Sequence, residues 1–527
     1  MPRLAPSLFR RAGRISPHLA TLLPACRTLA SAQIELGWIR RHVADTTCRR
    51  RSDDLGARHH DNDNNNNNNN SNSNDENNYR RENSAALSLS PRNGEDVGRH
   101  RGRVRGRRKL GTSPTAESSR NSKAPSDEDR VARLVARRGA GEPLQYVLGT
   151  QPFGDLEILC GKGVLIPRPE TEAWASMLAD LVFSSSGGRR REGGADGLSL
   201  SLSLRILDLC CGTGCIGLSL YARAMAALSR TGDVKGGKGN MEGRGAPLMR
   251  VFGFDVEPRA VRLAGRNLMH NFRGSRGGVY LDHSGLGEEA INGAVTFRQA
   301  DIFANEWMAH LDEVEASRYE DGDERDQPRR VDILVSNPPY ISQRGFEVDT
   351  GRSVRNYEPK IALVPAGVSS NLATTTTNPI LATPTSVITT TCAPEDIFYA
   401  RLLDVADTLR PRIAAFEVGD MEQAIRVAEM AMLRSRPQHD SSPETSPEED
   451  GVGSTGRIAP RWDVVEIWRD LPDCRPSDAE EDVISVRGRV VPVRGSGHGR
   501  VVFLAEGQMM WNRFTNRGFR REVYTGS

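Results

Sequence analysis

The stretch LRILDLCCGTGCIG, residues 204–217, decides the fold of this protein. Its first six residues are a short apolar run, which predicts a buried strand. The glycines that follow, Gly212, Gly214 and Gly217, predict a turn that lets a ligand approach the backbone closely. A helix is expected to begin after the turn, and its N-terminus favours a carboxylate or a phosphate. The stretch therefore predicts a ligand-binding turn between a strand and a helix.

Short apolar strands recur around this turn, and helical patterns separate several of them. The strands are predicted at 204–209, 250–255, 294–299, 331–336, 412–418, 463–468 and 500–505, and the helices at 258–271, 395–409 and 421–433. Alternating helices and continuously apolar strands predict an α/β fold with a largely parallel sheet covered on both faces. We interpret the Gly-, Ser-, Thr-, Pro- or charge-rich segments between them as surface insertions. They span about 187–203, 230–248, 273–293, 311–330, 366–394, 436–460 and 473–499.

Composition excludes several classes of protein. The 527 residues are only 37% hydrophobic and include 51 glycines and 29 prolines, so much of the chain is expected to be loop or disorder around a smaller folded part. The net charge of +3 excludes a globally basic nucleic-acid coat protein. No run approaches the roughly 18 apolar residues that span a bilayer, so we expect no membrane-embedded segment. The 8 cysteines lack the spacing of a secreted disulfide scaffold, which favours a reducing compartment.

The N-terminus has the composition of a mitochondrial presequence. Residues 1–30 combine arginines with Leu, Ala, Ser and Pro, and the first acidic residue of the chain is Glu35. Such a segment forms the cationic amphipathic helix that mitochondrial import requires, although a merely disordered basic terminus has the same composition. Beyond it, Ile34, Trp38 and Val43 stand near helical spacing and predict a short amphipathic helix.

Low-complexity sequence separates this helix from the next one. Residues 61–78 are almost all Asn, Asp and Ser, and residues 99–109 alternate Arg with Gly, so neither stretch can bury enough apolar area to fold. The basic stretch could contact RNA, but we interpret it as a solvated linker. A capped helix is predicted from Ser126, where an acidic first turn precedes Val131 and Val135 on one face.

Two acidic residues suggest which ligand the glycine turn binds. Asp208 precedes the turn, where its carboxylate could accept a hydrogen bond from the ammonium group of a cofactor that carries an amino acid. The glycines also match the dinucleotide fingerprint, but Asp208 would repel a pyrophosphate. Asp255 ends the next strand, where a carboxylate can accept both ribose hydroxyls of an adenosine. It could also act as a helix N-cap before Pro258, and the two roles are compatible.

The sequence Asn337-Pro338-Pro339-Tyr340, directly after the strand at 331–336, is the most specific signal. Two prolines make a rigid corner, because proline fixes its own φ and restricts the residue before it. The Asn337 oxygen could accept a hydrogen bond from an amide or amino N–H, and the neighbouring backbone carbonyl could accept the other. Tyr340 offers a planar face for stacking. The alternative interpretation is an ordinary Asn-Pro turn.

With these motifs together, the chain resembles the protein-(glutamine-N5) methyltransferases of the HemK/PrmC type, which modify class 1 peptide-chain release factors. The resemblance covers most of residues 126–468. The stretches that carry it are GEPLQYVLG at 141–149, FGDLEI at 153–158, VLIPRPETE at 164–172, the glycine turn, FGFDVEPRAV from 252, NPPYIS from 337, YEPKIAL at 357–363 and FEVGDMEQA at 416–424. Because NPPY also occurs in adenine-N6 methyltransferases, LIPRPETE and YEPKIAL are what narrow the match.

The resemblance implies a Rossmann-like class I S-adenosylmethionine-dependent methyltransferase domain, with a seven-stranded and mostly parallel sheet. A small N-terminal helical lobe would be joined to it by a β-hairpin. The expected division is a presequence at 1–30, a lobe at 31–148 with a disordered insert at about 52–124, a hairpin linker and the start of the catalytic domain at 149–186, and the methyltransferase domain with several low-complexity insertions at 187–527. The residues carried over are Gly212, Thr213, Gly214, Cys215 and Ile216 for the cofactor turn, Asp255 for the ribose, and Asn337, Pro338, Pro339 and Tyr340 for the substrate clamp.

The implied reaction moves a methyl group from S-adenosyl-L-methionine to the glutamine of a Gly-Gly-Gln motif in translation termination. Ile302 departs from the family, which often has Trp there, so the adenine edge would be covered without aromatic stacking. Cys210, Cys211 and Cys215 could suggest zinc, but their spacing places them beside the cofactor turn, and we predict no metal. The expected protein is a monomer of the mitochondrial matrix that acts on a release factor, without direct binding to nucleic acid or a membrane.

Three other functions remain open from the sequence. An adenine-N6 nucleic-acid methyltransferase would use the same clamp on a flipped base, but it should carry a structured basic recognition domain. A non-catalytic assembly factor could keep the fold, against which the intact Asp208, Asp255 and Asn337 weigh. A nicotinamide dehydrogenase would explain the glycines but would leave NPPY without a role.

Overall fold

The computed structural model describes residues 4–63, 125–183, 204–231, 249–272, 294–311, 331–365, 392–434 and 461–506. These residues divide into two compact units, Met1–Ala136 and Arg137–Ser527. The predicted insertions other than 473–499 lie almost wholly outside the described residues, as does most of the predicted insert at 52–124. None of the helices in the described ranges is both long and apolar enough to cross a membrane.

The first unit is helical. It contains α1 (Pro6–Ile15), α2 (Pro17–Cys26), α3 (Leu29–Asp63) and the start of α4 (Asp127–Gly139). Leu22 and Leu23 of α2 are fully buried, so the residues predicted to be a presequence contribute to a packed helical core. The division into presequence and lobe stays a prediction, although α3 continues through 52–63, where the insert was expected to begin.

The apolar face of α3 differs from the prediction. Ile34 and Trp38 are 52% and 48% exposed, whereas Leu36 and Ile39 are buried together with Val43. Two apolar stripes overlap in this sequence, and only the packing of the helix selects one of them. The cap predicted for α4 is confirmed, because the Ser126 hydroxyl accepts a hydrogen bond from Asp129 N at 3.2 Å and the Asp129 carboxylate accepts one from Ser126 N at 3.1 Å.

A mixed sheet forms the centre of the second unit. From one edge to the other, its strands are β5 (Val295–Gln299), β4 (Arg250–Asp255), β3 (Arg205–Leu209), β6 (Ile333–Ser336), β7 (Ile413–Glu417), β11 (Ser496–Ala505), β8 (Val464–Leu471), β10 (Arg489–Arg494) and β9 (Val483–Val486). The strands β5, β4, β3, β6 and β7 are parallel to one another, and β11 runs antiparallel to both of its neighbours. The first seven positions have the strand order of a class I methyltransferase, which confirms the predicted fold class.

Helices cover this sheet on both faces. Alternate residues of β3 enter different hydrophobic clusters, Ile206 packing with Trp174 and Leu207 with Tyr399, as expected for a strand that is buried on both sides. The helices of this unit are α5 (Leu144–Leu148), α6 (Pro169–Phe183), α7 (Cys215–Thr231), α8 (Pro258–Phe272), α9 (Gln343–Val348), α10 (Arg352–Tyr357), α11 (Ile397–Leu409) and α12 (Met421–Met432). Before the sheet, β1 (Thr150–Phe153) and β2 (Leu156–Leu159) form the hairpin that the family resemblance implies.

The interpretation of 473–499 as a surface insertion is wrong. This segment contains β9 and β10, which extend the sheet from seven strands to nine. β10 pairs with β8 at Val493 and Arg494 and with the edge strand β9 from Arg489 to Pro492, so the two strands project from β8 as a hairpin. Pro492 and the flanking arginines obscure the apolar alternation, although Val491 and Val493 are buried.

Candidate active site

The carboxyl ends of β3, β4 and β6 open onto a cavity of about 600 Å³. β3 pairs with β4 on one side and with β6 on the other. The chain that leaves β3 continues to β4 and the chain that leaves β6 continues to β7, so the two connections run in opposite directions. Ligands of α/β proteins bind at such a switch point, because the loops that follow the two strands diverge and leave a crevice. The cavity therefore lies where the sequence predicted its ligand-binding turn.

The glycine turn forms one wall of this cavity. Gly212 and Gly214 have φ values of +56° and +76°, in the left-handed region that residues with a side chain rarely adopt. Gly214 N donates to Cys211 O at 2.7 Å and closes the turn. A Cβ added at Gly214 would lie 2.8 Å from Cζ of Phe297, whereas one added at Gly212 would meet no atom within 4 Å. Gly212 therefore leaves room beside the cavity, and Gly214 leaves room for the packing behind it.

Asp255 connects the glycine turn to the next strand. One carboxylate oxygen accepts a hydrogen bond from Gly212 N and the other from Glu257 N, both at 2.9 Å. The side chain lines the cavity, and burial raises its pKa above the usual range of an aspartate. Each oxygen has a second lone pair, so the carboxylate can still accept hydrogen bonds from a ligand.

Asp208 lies elsewhere than its predicted role requires. It is completely buried beneath the turn and is not among the residues that line the cavity. One oxygen accepts a hydrogen bond from Gly217 N at 3.0 Å, and the other has no partner among the described residues. Burial raises the pKa of Asp208 to about 7. The structure therefore places it as a support of the turn, without bringing it to the ligand.

The remaining predicted residues of the turn lie as expected. Thr213, Cys215 and Ile216 all line the cavity. Burial raises the pKa of the Cys215 thiol to about 12 and the pKa values of the Cys210 and Cys211 thiols well above their usual range. The three thiols are therefore neutral. Among the described residues, no group of three or more side chains could hold a metal ion.

Aromatic side chains that the sequence reasoning missed complete the wall around Ile302. Ile302 is buried and lines the cavity together with Phe303 and Phe398, whose rings pack edge to face with centroids 5.0 Å apart. Phe398 follows Phe303 by almost a hundred residues, so no local pattern could connect the two. The wall of the cavity beside Ile302 is thus aromatic.

The two stretches that narrowed the family resemblance contact each other. Glu358 of YEPKIAL is buried and accepts hydrogen bonds from Arg168 at 2.8 Å and from Ile166 N at 3.2 Å, both in LIPRPETE. Residues from both stretches line the cavity, including Arg168, Pro359 and Ile361. This ion pair joins two stretches that are distant in sequence and that both line the cavity.

Asn337 stands at the junction of two cavities. β6 ends at Ser336, whose hydroxyl donates to Leu209 O at 2.7 Å and holds the two strand ends together. Asn337 lines both the first cavity and a second cavity of about 520 Å³, while Tyr340 lines only the second. Pro339 lines the first cavity, and Pro338 is buried and lines neither. The structure thus places Asn337 of the predicted clamp where the two cavities adjoin, with Pro339 in the first cavity and Tyr340 in the second.

The second cavity is lined by polar and charged side chains. It shares Leu165, Arg168, Asn337 and Ala362 with the first cavity and then extends along α9 and the start of α12. Two of its arginines are paired: Arg426 binds the Asp396 carboxylate at 2.6 Å, and Arg500 binds the Asp470 carboxylate at 2.7 Å. A space with this lining can accept the backbone and side chains of a peptide.

Thr171, Trp174 and Glu417 are further residues that the sequence reasoning did not select. Glu417, the last residue of β7, is buried and accepts hydrogen bonds from Thr171 Oγ1 at 2.6 Å, Trp174 Nε1 at 2.8 Å and Tyr340 Oη at 3.2 Å. Burial raises the pKa of Glu417, and the bonds from Thr171 and Trp174 partly offset that rise. The available signal was the acidic residue within the motif FEVGD, at the end of a predicted strand.

Proteins similar to this chain were found by sequence and by structure, while no protein-family model matches it. Mitochondrial MRF1 N(5)-glutamine methyltransferase MTQ1 of Saccharomyces cerevisiae is 25% identical over 69% of this chain and 68% of its own length. A Schizosaccharomyces pombe protein, named Probable MRF1 mitochondrial N(5)-glutamine methyltransferase mtq1, is 30% identical over 45% of this chain and 55% of its own length.

The solved structures that match include a SAM-dependent methyltransferase from Agrobacterium tumefaciens. It is 13% identical, with a TM-score of 0.23, and the match covers 53% of this chain and 56% of that one. Bacterial proteins named release factor glutamine methyltransferase also match, among them one from Vibrio cholerae that is 27% identical over 44% of this chain and 54% of its own length. The predicted resemblance and the predicted class of enzyme are thereby confirmed: the chain is similar to the release factor N5-glutamine methyltransferases.

Proposed function

We propose that this protein transfers a methyl group from S-adenosyl-L-methionine to the side-chain nitrogen of the glutamine in the Gly-Gly-Gln motif of a peptide-chain release factor. The observation that carries the proposal is the position of Asn337, which lines both the cavity beside the glycine turn and the polar cavity next to it. A group that enters through the polar cavity meets the cofactor cavity at this side chain.

The residues of the first cavity fit S-adenosylmethionine. Asp255 lines it with a carboxylate that can accept hydrogen bonds from the ribose hydroxyls, and Phe303 and Phe398 provide apolar walls for the adenine. Gly212 leaves open space where the ligand approaches the backbone. When bound, the cofactor supplies an electrophilic methyl group on a positively charged sulfur.

The protein's own contribution is to orient the amide and to exclude water. An amide nitrogen is a poor nucleophile, so its alignment and desolvation have to lower the barrier. The Asn337 oxygen accepts one N–H of the substrate amide. The second acceptor expected from the motif, the Pro338 carbonyl, belongs to a residue that lines neither cavity. In the overall reaction, the methyl C–S bond of the cofactor would break and an N–C bond would replace one N–H bond of the amide. The cofactor would leave as a neutral thioether, and the proton would go to solvent. No side chain has to act as a strong base.

The names of the relatives support the partner and the compartment. These names contain the words MRF1, mitochondrial and release factor. Residues 1–34 of this chain include several arginines and no acidic residue. The proposed substrate is a mitochondrial class 1 release factor, and the proposed location is the matrix. We propose that the protein acts as a monomer, without direct binding to nucleic acid or a membrane.

Mass spectrometry of the substrate tests the function. Full-length protein is incubated with S-adenosylmethionine and a recombinant mitochondrial release factor, and the peptide that contains Gly-Gly-Gln is examined for one added methyl group on the glutamine. Asn337→Ala should slow the transfer by roughly a hundredfold because the aligning acceptor is lost. The affinity for the cofactor should change by less than about tenfold.

Two controls make the result decisive. A release factor whose Gly-Gly-Gln glutamine is replaced by glutamate should stay unmethylated, since a carboxylate has no N–H to donate to Asn337. An adenine-containing oligonucleotide serves as the competing substrate. Faster labelling of the oligonucleotide than of any Gly-Gly-Gln protein, or near-normal turnover by Asn337→Ala, would contradict the proposed function.

A further inference from the structure

A chain of hydrogen bonds runs from a buried carboxylate to the side chain at the junction of the two cavities. Asn337 Nδ2 donates to Thr171 Oγ1 at 3.2 Å, and Thr171 Oγ1 donates to Glu417 Oε2 at 2.6 Å. Trp174 Nε1, one turn along α6 from Thr171, donates to the same oxygen at 2.8 Å. Glu417, Thr171 and Trp174 are each at most 1% exposed. Thr171 and Asn337 also line the first cavity, so the chain of bonds leads from a buried carboxylate to the site itself.

The order of donors and acceptors in this chain leaves one arrangement. An indole N–H can only donate, so Glu417 Oε2 acts as an acceptor toward Trp174. Thr171 has a single hydroxyl proton, and it points to that same oxygen. The Thr171 oxygen can therefore only accept from its remaining neighbour, which is the NH2 group of Asn337. This order holds when Glu417 Oε2 carries no proton. A proton on Oε1 would not change it, because both donors lie on Oε2.

The consequence concerns the free end of the Asn337 carboxamide. The oxygen and the nitrogen of an amide have almost the same shape, so packing alone does not decide which of them faces a ligand. Because Nδ2 is bound to Thr171, Oδ1 is the atom left for the cavities that Asn337 lines. In the opposite orientation, the NH2 of Asn337 would face the NH2 of a substrate amide, donor against donor.

We propose that Thr171 and Glu417 are positioning residues that hold Asn337 with its oxygen toward the substrate, and that they thereby select a carboxamide over a carboxylate. This inference rests on the proposed function for its substrate. Neither residue needs to touch the reacting atoms. Glu417 orients the Thr171 hydroxyl, Thr171 orients the Asn337 amide, and Asn337 presents an acceptor that a glutamine can use and a glutamate cannot.

Substitution of the central hydroxyl gives the sharpest test. Thr171→Val removes the hydroxyl, so that the Asn337 carboxamide can rotate by about 180°, whereas Thr171→Ser keeps the hydroxyl in place. On a release factor, kcat of Thr171→Val should fall about tenfold or more, while KM for S-adenosylmethionine stays within about threefold, and Thr171→Ser should restore kcat. Thr408→Val is the control, because Thr408 lies on the exposed face of α11 and, among the residues that the structure describes, its hydroxyl donates only to Asp404 O of its own helix.

Inhibition by the glutamate-substituted release factor distinguishes a rotated Asn337 carboxamide from a site that is merely less well ordered. The glutamate-substituted release factor should inhibit Thr171→Val more strongly than it inhibits the wild type, since a turned Asn337 offers NH2 to the carboxylate. A variant that is merely loosened would bind both release factors more weakly. Unchanged kcat in Thr171→Val, or inhibition that weakens together with substrate binding, would overturn the proposal.

A measurement without substrate keeps this inference distinct from the proposed function. In protein labelled with ¹⁵N-asparagine, the side-chain signal that disappears in Asn337→Ala belongs to Asn337. Its NH2 protons should exchange slowly with water in the wild type and in Thr171→Ser, and fast in Thr171→Val. If the wild type shows this protection but methylates no release factor, the proposed function fails and the orientation of Asn337 stands. Equal exchange in all variants overturns the role of Thr171.

Discussion

Alanine substitutions at Gly212 and Gly214 should destabilise the protein to different extents, although both residues belong to one turn and have positive φ. An alanine in this backbone region lowers the free energy of unfolding by about 1 to 2 kcal/mol. The lower conformational entropy of the unfolded chain offsets about 0.4 to 1 kcal/mol of this loss. At Gly212 there is no further cost from steric overlap, because no atom lies within 4 Å of the new Cβ. The expected loss in the free energy of unfolding is about 1 kcal/mol.

At Gly214 the added methyl group also collides with its surroundings. It would lie 2.8 Å from Phe297 Cζ and 3.1 Å from Cβ of the fully buried Ala264 on α8. Overpacking of this kind costs typically about 1 to 3 kcal/mol, so Gly214→Ala should lose about 2 to 4 kcal/mol. Urea unfolding of the full-length variants, followed by circular dichroism, measures the difference.

The effects on cofactor binding should have the opposite order. Gly212 lines the cavity and Gly214 does not, so Gly212→Ala should weaken S-adenosylmethionine binding more, despite its smaller effect on stability. A double-mutant cycle of Gly214→Ala with Phe297→Leu should give a coupling of about 1 kcal/mol or more, because the smaller side chain relieves the collision. Unfolding free energies of the two alanine variants that agree within about 0.5 kcal/mol would refute the packing argument.

Three further outcomes are expected. Asp255→Ala should weaken cofactor binding in calorimetry by about 1 to 3 kcal/mol, the usual loss for a hydrogen bond to a charged group, and unchanged affinity would remove Asp255 from the site. The pKa of Asp208 is about 7 in the folded state, against an ordinary aspartate value of 3.8. Between these pH values the folded state keeps a proton that the unfolded state releases, so the free energy of unfolding should fall as the pH rises from about 4 to about 7. Asp208→Asn should flatten that slope in urea titrations at several pH values, whereas an unaltered slope would assign it to other groups. Replacing residues 64–124 by a short flexible linker should leave the melting temperature and cofactor affinity nearly unchanged, because loop length affects stability only logarithmically, and a large drop in the melting temperature would reveal structure in that segment.

The sequence by itself predicted the features that depend on neighbouring residues. The apolar strands, the glycine turn and the Asn-Pro-Pro corner follow from local sterics and from periodicity, which act over a few residues. The position of Asp255 at the end of the second strand was predictable for the same reason, since parallel strands bring their carboxyl ends to one edge. The family resemblance added the hairpin and the S-adenosylmethionine cofactor.

Local patterns failed where contacts between distant residues decide the outcome. The strand β10 carries arginines and Pro492, and only its pairing with β8 joins it, together with β9, to the sheet. Asp208 precedes the glycines as a ligand acid would, yet the start of α7 folds over it and Gly217 N bonds to it.

Only the tertiary structure decided how the substrate clamp is oriented. Asn337 was predictable from its motif, but the direction of its carboxamide depends on Thr171 and Glu417, which stand 166 residues before it and 80 residues after it in the chain. A hydrogen-bond direction is set by donors and acceptors that meet in space, and no periodicity in the sequence encodes such a meeting. Parallel strand order brings the three together, because β6 and β7 are neighbours and α6 packs beside their carboxyl ends.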